Sequence, residues 1–287
     1  MHVRNPVEWG VDQLKQAGAT IDMIGRGRHL RDAEAQPLAV QRIGVGDLRE
    51  ALARGFDDFL ALRSDVVFLC LIYPASGFIL ARLVFGYDLL PLLFPLASGF
   101  ALIGPVAAVG LYEMSRRREA GVEVGWADAF QVVRNPGFGS ILLFGLLLLA
   151  IFLCWLTTAS LIYNVTLGPQ PPASPATFAR DLATTRAGWI LIGGGIGVGF
   201  LFAVLVLAIG VVSAPLILDR DIGVVGAMRT SLRVVATNPG TMALWGLIVA
   251  AALVLGSIPL FLGLIVVMPV LGHATWHLYR RVVAPSG

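Results

Sequence analysis

The sequence predicts an all-α membrane protein with six transmembrane helices in three tandem repeats. Each repeat is an interfacial amphipathic helix followed by a two-span hairpin. Three observations predict this. Of 287 residues, 57% are hydrophobic and only 14% charged, with a mean hydropathy of +0.81, whereas soluble domains carry roughly 25% charge. Six apolar stretches have approximately the length that crosses a bilayer. Two of the polar connections end in the same tripeptide.

Residues 1–43 are polar, with no apolar run of the kind a secretory signal needs. They read as a cytoplasmic tail. The apolar stretches are 66–85, 89–111, 141–162, 189–218, 242–258 and 260–276. About 20 apolar residues at 1.5 Å rise cross a hydrocarbon core of about 30 Å. The fourth stretch is longer than this and carries Pro215 near its end, so a bend or protrusion is expected. Residues 242–276 contain no Asp, Glu, Lys or Arg. Gly256, Ser257 and Pro259 supply a turn that makes a hairpin there, with one long bent span as the alternative.

Arg and Lys set the orientation. Eighteen lie in the tail, in 112–140, in 219–241 and at the C-terminus, against three (Arg82, Arg180 and Arg186) in the opposite loops. Basic residues of short loops stay in the cytoplasm, so both termini are expected there. On the opposite side, Ser174 and Pro175 read as an N-cap and first turn of a short helix through Phe178 and Leu182.

An amphipathic stretch precedes each odd-numbered span. Leu48, Leu52, Phe56 and Phe59 share a helix face in the first, with Arg49, Glu50, Arg54, Asp57 and Asp58 elsewhere on the wheel. Trp126, Phe130 and Val133 do so in the second, and Val224, Met228, Leu232 and Val235 in the third. Such helices lie in the interface with the apolar face toward lipid. The second and third stretches end in Asn135-Pro136-Gly137 and Asn238-Pro239-Gly240. Proline stops the helix before it and starts the next one. The even-numbered spans carry Pro105, Pro215 and Pro269. Tyr112, Glu113, Arg116 and Arg117 recur at the same offsets as Trp276, His277, Arg280 and Arg281. The units are therefore 44–120, 121–220 and 221–287, the last including a short C-terminal tail.

The run from Phe94 to Pro105 (FPLASGFALIGP), its continuation Gly110-Leu111-Tyr112-Glu113-Met114-Ser115-Arg116-Arg117-Arg118-Glu119, the segment Leu218-Asp219-Arg220-Asp221 and the close Gly272-His273-Ala274-Thr275-Trp276-His277-Leu278-Tyr279-Arg280-Arg281 carry a family resemblance. They resemble the bacterial integral membrane family catalogued as domain of unknown function 2189, from about residue 40 to the C-terminus. The resemblance implies a multi-span protein of the bacterial inner membrane. It implies no activity and no catalytic residues.

Little in the chain suggests chemistry. His273 and His277, four apart, share a helix face and are the weak candidates for a metal. The only other histidines are His2 and His29 in the tail, too few for a haem–copper centre. His273 is read as hydrogen-bonding across helices and His277 as lying at headgroup depth. Cys70 and Cys154 fall in apolar segments and read as core residues. Gly193 and Gly197, and Gly195 and Gly199, suit close helix packing. Charged residues sit at span ends, which argues against an ion-coupled transporter. No cofactor is expected. A net charge of +3 without a basic stripe gives no sign of nucleic acid.

The residues left as lipid-headgroup or interfacial contacts are Tyr112, Glu113, Arg116, Arg117, Asp219, Arg220, Trp276, Arg280 and Arg281. The expected role is a non-enzymatic inner-membrane protein that organises lipids or partner proteins, with anionic lipids or membrane proteins as the candidate partners. The alternatives are a transporter or channel for an apolar or amphiphilic solute and, behind it, a redox accessory protein using His273 and His277.

Overall fold

The computed structural model describes residues 38–62, 75, 77–79, 82, 89–220, 222–259 and 261–284. The first expected span, 66–85, lies almost wholly outside the described residues, as do Cys70 and the tail to residue 37. The regular secondary structure of the described residues is helical, apart from one isolated antiparallel bridge between Val40 and Val283.

Helix α1 is Val45–Ala61, started by Gly44, whose backbone N–H donates to Asp47 at 2.9 Å. A 3-10 turn, Leu90–Leu92, leads into α2 (Leu93–Ala107) and α3 (Val109–Glu119). The break at Ala108 lies just beyond Pro105, whose missing N–H weakens the ladder there. The second amphipathic stretch forms a 3-10 helix, Trp126–Arg134, rather than an α-helix. Helix α4 is the long rod Phe138–Thr166. Helix α5 (Pro175–Thr184) begins as expected, with Ser174 accepting the Thr177 N–H at 3.1 Å.

The fourth stretch is interrupted. Helix α6 (Arg186–Gly210) and α7 (Ser213–Arg220) meet at a turn of Val211 and Val212. Pro215 has no N–H to offer the Val211 carbonyl, which accounts for the break being here. Helix α8 (Val224–Thr237) follows, then α9 (Pro239–Ser257) and α10 (Leu264–Val282). These last two form a hairpin, not one bent helix. A Cβ on Gly263 would lie 2.8 Å from the Gly256 Cα, so the glycines permit the close return.

Among the described residues, four segments are long and apolar enough to cross a membrane: Leu90–Glu119, Phe138–Thr166, Arg186–Arg220 and Pro239–Ser257. Helix α10 is not among them, because its second half carries His273, His277, Arg280 and Arg281. Apolar side chains face outward along these rods, for example Leu142, Leu146 and Leu153 on α4, as expected where lipid replaces water. Cys154 is on this outer face, not in the core. Of the glycines assigned to close packing, Gly199 meets Trp155 and would place a Cβ 3.1 Å from it. Gly193, Gly195 and Gly197 face open space, with nothing within 4 Å.

The amphipathic stretches are partly rotated from expectation. On α1 the inward stripe is Leu48, Ala51, Gly55, Asp58 and Phe59, packed against α10 rather than turned to lipid. Phe56 is left exposed. On α8 the inward stripe is the small and polar set Ala227, Thr230, Ser231 and Val234, and Leu232 faces out. Small residues win the inward positions because they let α8 approach α6, where Ser231 donates to the Ala208 carbonyl at 2.8 Å.

Candidate functional site

The C-terminal ends of α3, α7 and α10 converge with α1, and their charged side chains interlock. At the centre is Asp58, 3% exposed. Its Oδ2 accepts from Ser115 Oγ of α3 at 2.6 Å and pairs with His277 Nε2 of α10 at 2.9 Å. Its Oδ1 pairs with Arg118. Ser115 has a single hydroxyl proton, and that proton goes to the carboxylate. The 2.7 Å contact between Ser115 Oγ and His273 Nδ1 is therefore donated by the imidazole. Donation runs from His273 to Ser115 and from Ser115 to the Asp58 carboxylate, with His277 and Arg118 closing on the same carboxylate from other directions. Burial alone would raise the Asp58 pKa. Hydrogen bonds from His277 and Ser115 outweigh burial and hold it at about 2.

Four further clasps surround this one. Glu113, also buried, is gripped by Arg116 through two bonds of 2.9 Å and by Arg117 Nε at 2.8 Å. Arg117 reaches on to Asp128 at 3.2 Å and Gln131 at 2.9 Å, pinning the 3-10 helix to α3. Asp219 accepts from the Tyr279 hydroxyl at 2.6 Å and lies 3.6 Å from Arg280, while Arg220 holds the Ala284 carbonyl. Glu119 accepts from Trp276 Nε1 at 3.1 Å and from Arg280 at 3.2 Å. At the start of α1, Arg281 bonds to Asp47 at 2.7 Å and lies 3.1 Å from Glu50.

The asparagines of the two Asn-Pro-Gly tripeptides do more than end helices. Asn238 accepts the Ile43 N–H at 2.8 Å and donates to the Gln41 carbonyl at 3.1 Å, fixing the strand-like entry to α1. Asn135 donates to the Leu218 carbonyl at 3.1 Å and accepts the Gly137 N–H at 2.7 Å. Each tripeptide thus ties one helix boundary to a segment distant in sequence.

The structure brings all nine expected contact residues to one end of the molecule, as an internal network. Tyr112 and Trp276 are buried against other helices, 2% and 0% exposed, rather than standing outside as headgroup anchors. His277 belongs to the Asp58 clasp, and His273 hydrogen-bonds across helices as expected. Among the described residues, no three His, Cys, Asp or Glu side chains are grouped to hold a metal ion. Ser115 is buried, with its proton committed to a carboxylate, which leaves it unsuited to nucleophilic attack. Sequence reasoning missed Asp58, Ser115, Arg118, Glu119 and Tyr279. The signal for Asp58 was present: it falls seven residues after Ala51 and ten after Leu48, on the buried stripe.

Long apolar helices capped at one end by an arginine-rich polar lock define an integral membrane protein of the all-helical class. Residues 93–219 match the family described as "Predicted integral membrane protein (DUF2189)". That match spans α2 to α7, a shorter stretch than the resemblance to the C-terminus read from the sequence. No curated protein and no solved structure matches the chain.

Proposed function

We propose that this protein has no catalytic role and organises anionic lipids or a membrane partner around its arginine-rich end, in the inner membrane of a bacterium. The observation that carries this reading is how the polar groups are used. The buried carboxylates Asp58 and Glu113 are satisfied by Ser115, His277 and arginines of the same chain. Groups so engaged are poorly placed for proton transfer or substrate binding, while the flanks of the rods are apolar. The arginine-rich end lies in the cytoplasm on this reading, by the preference of basic residues for that side, and both termini are assigned to the same compartment. The six-span, three-repeat layout belongs to the same proposal. The tight return of α10 along α9 and the matching roles of Asn135 and Asn238 support it.

The test is purification with native lipids. Anionic lipid should co-purify and raise the melting temperature when added back, or a membrane protein should be captured. If neither happens, the reading fails. The interrupted rod of α6 and α7 favours a second reading, a transporter or channel for an apolar or amphiphilic solute with Val211 and Val212 as a hinge. Solute flux into vesicles containing the protein would replace the first reading with this one.

A further inference from the structure

The arginines of the arginine-rich end divide into two sets. Arg116, Arg117, Arg118, Arg220, Arg280 and Arg281 are all paired to groups of this chain. Arg42, Arg49, Arg134, Arg229 and Arg233 make no ion pair or hydrogen bond to any described residue, and the last three differ from the first two in their place in the fold. Those last three are exposed, and all three lie on the amphipathic segments that connect candidate spans.

Their neighbours are unusual for a water-facing surface. On α8, Val225, Arg229, Leu232, Arg233 and Ala236 are all exposed and fall on one stripe, at helical spacing. On the 3-10 helix, Trp126, Phe130 and Val133 stand 48%, 60% and 60% exposed beside Arg134. There the polar side chains Asp128 and Gln131 are instead turned toward α3, held by Arg117. The amphipathic pattern is thus inverted: polar groups face protein, and aromatic and aliphatic groups face out. The chain joins the 3-10 helix to the ends of Leu90–Glu119 and Phe138–Thr166, and α8 to the ends of Arg186–Arg220 and Pro239–Ser257. Both segments therefore sit at the edge of the bilayer, where apolar side chains can enter acyl chains while arginines reach up to phosphates.

We propose that the headgroups of anionic phospholipids bind at Arg134, Arg229 and Arg233, with their acyl chains against Phe130, Val133 and Leu232. The occupant is a lipid leaflet because the surface combines unpaired positive charge with exposed apolar groups and is continuous with the spanning helices. The paired arginines have their charge offset internally and so gain less from a phosphate. This inference rests on the lipid reading above and deepens it by assigning the contact to residues.

The test reconstitutes the full chain in vesicles of equal parts phosphatidylcholine and phosphatidylglycerol, extracts it in polymer discs and measures the lipid ratio retained. The wild type should retain phosphatidylglycerol in excess, with the excess shrinking at high salt. Each arginine near an anionic surface changes lipid preference by about fivefold at most. The triple variant Arg134→Gln, Arg229→Gln, Arg233→Gln should therefore fall to the bulk ratio. The corresponding triple lysine variant, which keeps the charge, should retain the excess. If the glutamine variant keeps the wild-type excess, the inference fails and the broader lipid reading survives. If both triple variants fall to the bulk ratio, charge is not the cause and the inference fails. A wild type at the bulk ratio overturns the inference and the lipid reading together. Loss of a captured protein with the lipid ratio unchanged would assign the surface to a protein partner instead.

Discussion

Asp58 and His277 are 219 residues apart in the chain and 2.9 Å apart in the fold. Their bond joins the first described helix to the last, across α3, which contributes Ser115 and Arg118 to the same carboxylate. The closure is reinforced by backbone pairing of Gln41 with Val282 at 2.8 Å and of Ala284 with Ala39 at 3.1 Å.

The clasp should be sensitive to acid. Asp58 is held at about 2, below its ordinary value of 3.8. A carboxyl depressed in the fold stabilises it at neutral pH, and that contribution disappears as pH falls from about 4 toward 2. Its size is on the order of 2 kcal/mol. Melting temperature in detergent should drop across this window, and Asp58→Asn should remove that part of the drop. Equal acid sensitivity in the variant would show that other carboxylates carry it. Asp58→Ala, which leaves Arg118 and His277 facing an empty site, should cost roughly 3 kcal/mol at neutral pH. Protease should then cut α1 more readily.

Helices α1 and α10 cross at Gly55. A Cβ there would stand 2.5 Å from the Ala274 nitrogen and 2.7 Å from its Cα, both backbone atoms that cannot swing aside. Gly55→Ala should lower stability by roughly 1–3 kcal/mol. Gly46, nine residues earlier on the same helix, has nothing within 4 Å. Gly46→Ala should be neutral or slightly stabilising, since alanine loses less chain entropy in a helix. Paired melting curves of the two variants check the contrast.

Asn238 is buried and substitutes for a strand partner to residues 41 and 43. Asn238→Ala would strand one N–H and one C=O and should cost roughly 1–3 kcal/mol. Asn238→Asp keeps the acceptor for Ile43 but sets a buried carboxylate oxygen against the Gln41 and Val234 carbonyls, so at neutral pH it should cost at least as much. Hydrogen exchange at the Ile43 amide reads the effect directly: it should accelerate in the alanine variant.

The topology is open to a simple measurement. Reporters fused before residue 38 and after residue 284 should both report the cytoplasm, and one inserted at the turn between α9 and α10 should report the opposite face. Reporters at the two ends on opposite faces would remove the even number of crossings, and the repeat with it.

Much of the fold was legible in the sequence because bilayer-crossing helices impose a local rule. About 20 apolar residues in a row, unbroken by charge, suffice whatever they pack against, and so the rods of α4, α6 and α9 were found by composition. Turn chemistry worked equally locally at Ser174 and at Asn238-Pro239-Gly240. Rotation about a helix axis was less legible. On α8, hydrophobicity favoured Val224, Met228, Leu232 and Val235, but small Ala227 and Ser231 went inward. Where lipid can receive apolar side chains, closeness of approach decides which face is buried.

The sequence by itself determined the class of protein, the places where helices start and stop, and the gathering of arginine at one end, because each depends on residues near one another in the chain. Only the tertiary structure decided which arginines are paired and which stay unpaired among the described residues, and that Asp58 lies inside rather than outside. Arg116 and Arg117 find Glu113 within one helical turn, but the partners of Asp58 are 57 to 219 residues away. Electrostatic pairing is short-ranged in space and indifferent to separation along the chain, so it becomes visible only once the helices are packed.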